Sequence, residues 1–184
     1  MLNTLLPNPL HPAIVHLPIA LTLLVPVFAV GALWAIHKGS RPWKAWGITT
    51  ALFAALTLSA WAAVETGEQA DERVESVVAE APISTHEAAA ELFLVLSAAT
   101  LAVSVIGLRT GRLGSGARMA GTLGAVALVV AGWRVGHSGG ALVYQHGAAN
   151  AYIGSAASTR TAQAGALDNR DAKATRMKRE EDDR

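Results

Sequence analysis

The sequence contains no cysteine. That excludes structural disulfides, thiolate nucleophiles, cysteine-ligated iron–sulfur clusters and covalent attachment of a c-type haem. Charge is scarce as well. Only 16% of the 184 residues are Asp, Glu, Lys or Arg, against roughly 25% in an average soluble domain. The chain therefore lacks the polar surface to sit in water alone, which argues against a soluble enzyme, a nucleic-acid binder or a disordered chain. There is no Walker motif, no glycine-rich dinucleotide loop and no HExxH, and nothing points to enzymatic turnover. The net charge of +1 carries no information about partners, because it averages zones that face different compartments.

What is present is long uncharged runs. Residues 1–37, 45–64 and 92–108 contain no acidic or basic side chain apart from histidine. A hydrocarbon core about 30 Å thick needs ~20 helical residues, and four segments reach that length: about 12–36, 43–66, 86–108 and 117–144. The runs are too long for barrel strands and lack a period of two. The fold class read from this is all-α, a four-transmembrane-helix bundle over residues 1–152 followed by a polar tail over 153–184. That tail carries 7 of the 15 basic residues and reads as disordered. The first span has no basic flank and is longer than the usual h-region, so it does not read as a cleaved signal peptide.

Loop charge gives an orientation. The first loop carries Lys38, Arg41 and Lys44, and the third carries Arg109, Arg112 and Arg118, whereas the second is acidic from Glu65 to Glu80. The positive-inside rule puts both basic loops in the cytoplasm, and both termini outside it. Five of the six histidines then fall at outer helix ends: His11, His16, His86, His137 and His146, with His37 alone on the inner side. Ionisable groups inside a span default to function.

Local context offers two readings for most of these residues. His11 reads as a cap of the first helix, with His16 either bonded to a neighbour or serving as a ligand or proton relay. Ser84 and Glu87 fit a capping box at the start of the third helix, which leaves His86 unexplained. Glu91 is expected to pair with Arg134, to accept from a histidine, or to sit exposed at the interface. Gly132, Gly136 and Gly140 form a stripe suited to close helix packing or to a flat cofactor face. At 100° per residue Arg134, His137 and Tyr144 share that face, where a histidine could ligate iron and an arginine pair a propionate. Glu65-Thr66-Gly67 reads as a helix end with a glycine cap, and Gly114-Ser115-Gly116 as a turn. Trp34, Trp43, Trp46 and Trp61 read as an aromatic belt.

The stretches HPAIVHLPIAL (11–21), ETG (65–67), HE (86–87) and GHSGGALVYQHG (136–147) together resemble a family of bacterial four-helix membrane proteins catalogued as domain of unknown function 2231. The resemblance covers about residues 8–150. It implies a multi-pass protein of the bacterial inner membrane with recurring outer-side histidines and an association with electron-transfer proteins; it transfers no catalytic residue.

Three functions remain open at this point. The first is a non-covalent haem b domain for membrane electron transfer, with His16, His86 and His137 as ligand candidates and Arg134 and Tyr144 beside the cofactor. The second is a transition-metal site drawn from His11, His16, His86, His137 and His146. The third is a structural or assembly subunit whose histidines satisfy buried contacts. The partners expected are the lipid bilayer, redox proteins and a homo-oligomer, and not nucleic acid.

Overall fold

The computed structural model describes residues 10–152. The expected polar tail lies outside the described residues. Five helices follow one another: α1 (His11–Ile14), α2 (His16–His37), α3 (Pro42–Val74), α4 (Glu80–Ile106) and α5 (Gly111–Tyr144). There is no strand among the described residues. α1 and α2 together make one span, and α3, α4 and α5 make the other three, each long and apolar enough to cross a membrane.

Prolines explain the first break. Pro18 has no N–H to give the Ile14 carbonyl and its ring crowds that oxygen, and the helix is interrupted at Val15. Thr22 Oγ1 donates back to Pro18 O at 2.7 Å and closes the next turn. Pro26 sits inside α2, where it removes the donor for the Thr22 carbonyl.

The helices pack in a ring. α2 lies against α3, α3 against α4, α4 against α5, and α5 against α2, with α1 beside α3. Val25, Phe53, Leu56 and Leu128 are fully buried at the centre with Leu21, Ala60, Phe93 and Ala125 around them. Most large apolar side chains point the other way, among them Leu23, Val27, Leu58, Val95 and Leu123. This is the pattern of a bundle solvated by lipid, where apolar surface gains nothing by turning inward and packing relies on small residues and polar ties.

Glycines set the α4–α5 approach. A Cβ at Gly124 would stand 2.7 Å from Thr100 Cγ2, and one at Gly132 would stand 3.3 Å from Thr22 and 3.4 Å from Phe93. The expected stripe is thus only partly a packing surface: Gly132 meets its neighbours, but Gly136 and Gly140 have nothing within 4 Å. The close-packed positions are Gly121, Gly124, Gly132 and Gly139, because α5 turns that side of its surface to α2, α3 and α4.

At the end carrying the basic loops, Trp46 is wholly buried and donates Nε1 to Ser104 O at 3.0 Å. It is a core residue and not part of an aromatic belt, since that indole bond ties α3 to α4. Trp34, Trp43 and Trp61 are exposed. Thr50 Oγ1 and Ser104 Oγ share a hydrogen bond at 2.8 Å. Buried Arg118 donates Nη1 to Gly107 O at 2.6 Å and to Arg109 O at 3.0 Å. A cation there satisfies the free carbonyls at the α4 C-terminus.

Three sequence-level boundaries are corrected. α3 runs through Thr66 and Gly67 to Val74, since Thr66 Oγ1 bonds back to Ala62 O at 2.8 Å and the polar residues that follow are good helix formers outside lipid. Gly67 therefore caps nothing. α4 begins at Glu80, six residues before the expected start. Ser84 Oγ bonds Ala81 O inside the helix, so there is no capping box. Gly114-Ser115-Gly116 lies within α5, which starts at Gly111, and Gly114 lies hard against the Arg109 carbonyl in space that no Cβ fits.

Candidate functional site

Two imidazoles distant in sequence meet at the end of the bundle opposite the basic loops. His11 comes from α1 and His86 from α4. Their ring centroids are 6.4 Å apart and their planes 85° from parallel. Both residues are half-buried.

Each ring is held from behind. His11 Nδ1 lies 2.9 Å from Ala63 O and 3.4 Å from Thr66 Oγ1 on α3. A carbonyl only accepts, so Nδ1 carries the proton and Nε2 of the neutral ring is a lone pair. His86 Nδ1 lies 3.0 Å from Ser138 Oγ on α5. Ser138 gives its own proton to Val135 O at 3.0 Å, so it accepts from His86 Nδ1–H, and again Nε2 is left with the lone pair. This assignment of tautomers follows from the hydrogen-bond network. The side-chain contacts of both rings run through Nδ1. Among the described residues no buried side-chain nitrogen or oxygen lacks a partner.

Glycine makes room for both rings. A Cβ at Gly67 would stand 3.3 Å from His11 Cε1, and one at Gly139 would stand 3.0 Å from His86 Cε1. Beside the pair, the carboxyls of Asp71 on α3 and Glu87 on α4 lie against one another.

The other residues singled out by sequence do not join this cluster. His16, Arg134, His137, Tyr144 and His146 are exposed. His16 follows the break at Val15 and points away from the bundle. His137 stacks on Trp133, with centroids 5.4 Å apart and planes 16° apart. Tyr144 is 89% exposed at the end of α5. Glu91 is exposed and makes no bond to Arg134 or to a histidine. The face of α5 that carries Arg134, His137 and Tyr144 is its outward one, because Ala125, Leu128, Gly132 and Gly139 take the inward positions. No group of three or more His, Asp or Glu side chains able to hold a metal ion occurs among the described residues.

Sequence reasoning missed the supporting residues Ala63, Thr66, Gly67, Ser138 and Gly139. The signal was nevertheless present. Thr66 and Gly67 lie in the ETG stretch, His86 opens HE, and Ser138 and Gly139 lie in GHSGG. Four stretches distributed over the chain converge on the two rings.

Comparison with curated proteins and with solved structures finds no match. Residues 7–152 match the family described as predicted membrane protein (DUF2231). With four helices able to span the bilayer and that match over most of its length, the chain is a multi-pass membrane protein and belongs to the domain of unknown function 2231 family.

Proposed function

We propose that the chain holds a metal centre through Nε2 of His11 and Nε2 of His86, with haem b the first occupant, serving membrane electron transfer at the non-cytoplasmic side. The observation that carries this reading is the pair of Nδ1 hydrogen bonds to Ala63 O and Ser138 Oγ. A ligating histidine characteristically gives its other ring N–H to such a partner, which fixes both the tautomer and the ring orientation.

The ring spacing and the number of protein ligands favour haem over a bare ion in this reading. With metal–nitrogen bonds of about 2.0–2.1 Å and a ring radius of about 1.1 Å, two imidazoles on opposite sides of one metal have centroids about 6.3 Å apart, against about 5.1 Å at a tetrahedral angle. The centroid separation of 6.4 Å is close to the first of these values, which supports the reading. A porphyrin supplies four further nitrogens itself, whereas a bare Zn, Cu or Ni ion draws three or four ligands from the protein, and only two imidazoles are at hand here. A bound haem iron would supply one-electron redox chemistry, and redox proteins outside the membrane would be its partners. The chain's own part is to orient the two Nε2 lone pairs and to keep them in the bundle end.

The test is an absorption spectrum with metal analysis on full-length protein purified from haem-replete cells. A Soret band with split reduced bands, lost in His11→Ala and in His86→Ala but kept in His137→Ala, is the expected result. Stoichiometric metal without a chromophore would transfer the site to a transition-metal ion. A colourless, metal-free and folded preparation would leave the structural or assembly role.

A further inference from the structure

Beneath the α2–α3 loop the surface of the bundle is open. A groove of about 370 Å³ runs between α2 and α3 at the end that carries the basic loops. Ligand sites span roughly 300–1,000 Å³, so the groove is large enough to hold a bound molecule. Gly31, Ala32, Ala35 and Ala45 leave the space, and Val27 and Ile48, both more than half exposed, border it on the lipid side. A Cβ at Gly31 would meet nothing within 4 Å. Val27 stands ten residues before His37, the last residue of α2, which is ~15 Å along the helix. Half of a hydrocarbon core about 30 Å thick has the same depth. The groove is therefore as long as one leaflet is deep, which is the room an acyl chain takes.

The mouth of this groove is cationic. Lys38 follows Gly31 by seven residues, and its N–H still bonds Trp34 O at 3.0 Å. It thus continues the face of α2 that holds Gly31. Lys44 comes one turn before Ile48 on α3, with its Nζ 5.5 Å from the centre of the Trp43 ring. Arg41 lies between the two lysines, and all three cations are exposed. The loop that carries them is short and fixed. Gly39 takes a φ of +97° and Ser40 N–H bonds Ala35 O at 3.0 Å, which closes α2 in a Schellman turn. Pro42 opens α3, whose N-terminus has no side-chain cap. The dipole of that helix adds positive charge at the same place.

The chain supplies no carboxylate to balance this charge. Every Asp and Glu of residues 10–152 falls between 65 and 91, toward the other end of the bundle. A second copy seated in the groove about a two-fold axis normal to the membrane would bring the same cations to the same level. A zwitterionic lipid would fill the groove but leave the cations uncompensated. An apolar chain that ends in an anion meets both requirements.

We propose that the α2–α3 groove binds one anionic phospholipid, with an acyl chain along Gly31 and Ala35 and the phosphodiester at Lys38, Arg41 and the start of α3. Basic pockets between membrane helices recognise headgroups of this kind.

The test is native mass spectrometry of the full chain, released from detergent after incubation with phosphatidylglycerol or with phosphatidylcholine of the same acyl chains. One phosphatidylglycerol per chain should be retained in preference to phosphatidylcholine. Lys38→Gln should weaken that retention roughly fivefold, the worth of one cation beside an anionic headgroup, and leave phosphatidylcholine unchanged. Gly31→Leu fills the groove without displacing a neighbour and should lose the retained lipid. Gly47→Leu is the control: its Cβ also meets nothing within 4 Å, but it is turned ~200° from Ala45 on α3, and it should keep the lipid. Lys38 is exposed, so its variant carries the test if Gly31→Leu fails to fold. Equal retention of the two lipids, or retention unchanged in Lys38→Gln or in Gly31→Leu, would overturn the proposal. A dimer mass that Gly31→Leu abolishes would also overturn it, giving the groove to a second copy.

Discussion

Single atoms decide the candidate site. Gly139 and Gly136 look alike in sequence, three positions apart in one glycine-rich stretch, yet they meet different surroundings. A methyl group at 139 would stand 3.0 Å from His86 Cε1, while one at 136 would meet nothing within 4 Å. Gly139→Ala should therefore shift the His86 ring by a few tenths of an ångström and strain its bond to Ser138. Supporting residues of metal-ligating histidines are worth about 10–100-fold in affinity, so occupancy of the His11–His86 site, read by titration of bound haem or metal, should fall by a factor in that range. Gly136→Ala should leave occupancy and helicity unchanged. Equal effects from both would show that the glycines act as one packing stripe and not as a seat for the ring. The sequence displayed His11 and His86 as ionisable groups near helix ends. It could not rank them above His16 or His137, because ranking depends on which groups stand behind each ring.

At the scale of the helix, proline chemistry was legible and helix length was not. Pro18 dictates the interruption at Val15, and any L-proline in that place would do so by withholding its N–H from Ile14. Removing it tests whether the break is used. Pro18→Ala should fuse α1 and α2 into one continuous helix, gaining one backbone hydrogen bond worth about 0.5–1.5 kcal/mol. His11 would be drawn off Ala63 O. The expected result is higher thermal stability of the detergent-solubilised protein together with weaker occupancy of the site; unchanged occupancy would mean that the break does not position His11. The ends of α3 and α4 were misjudged because hydropathy marks where lipid ends, not where the helix does. Outside the hydrocarbon the residues after Gly67 still favour a helix, and that extension brings Asp71 across to Glu87.

The whole molecule adds orientation, which charge in the loops predicts. Its check again exploits the lack of cysteine. Ser40→Cys and Thr110→Cys should be shielded from a membrane-impermeant thiol reagent in intact cells, and Val77→Cys should be labelled; the reverse pattern would place the His11–His86 site in the cytoplasm. What the sequence determined by itself is the all-helical bundle, its four crossings and the family, because a bilayer accepts only backbone that bonds to itself and admits charge only at its margins. What only the tertiary structure decided is which imidazoles meet. In lipid, apolar faces do not mark the inside of a helix, so periodicity could not tell the inward face of α5 from the outward one that carries Arg134, His137 and Tyr144. That choice was made by contacts between helices: Gly139 against His86, Gly67 against His11, and Trp46 against Ser104.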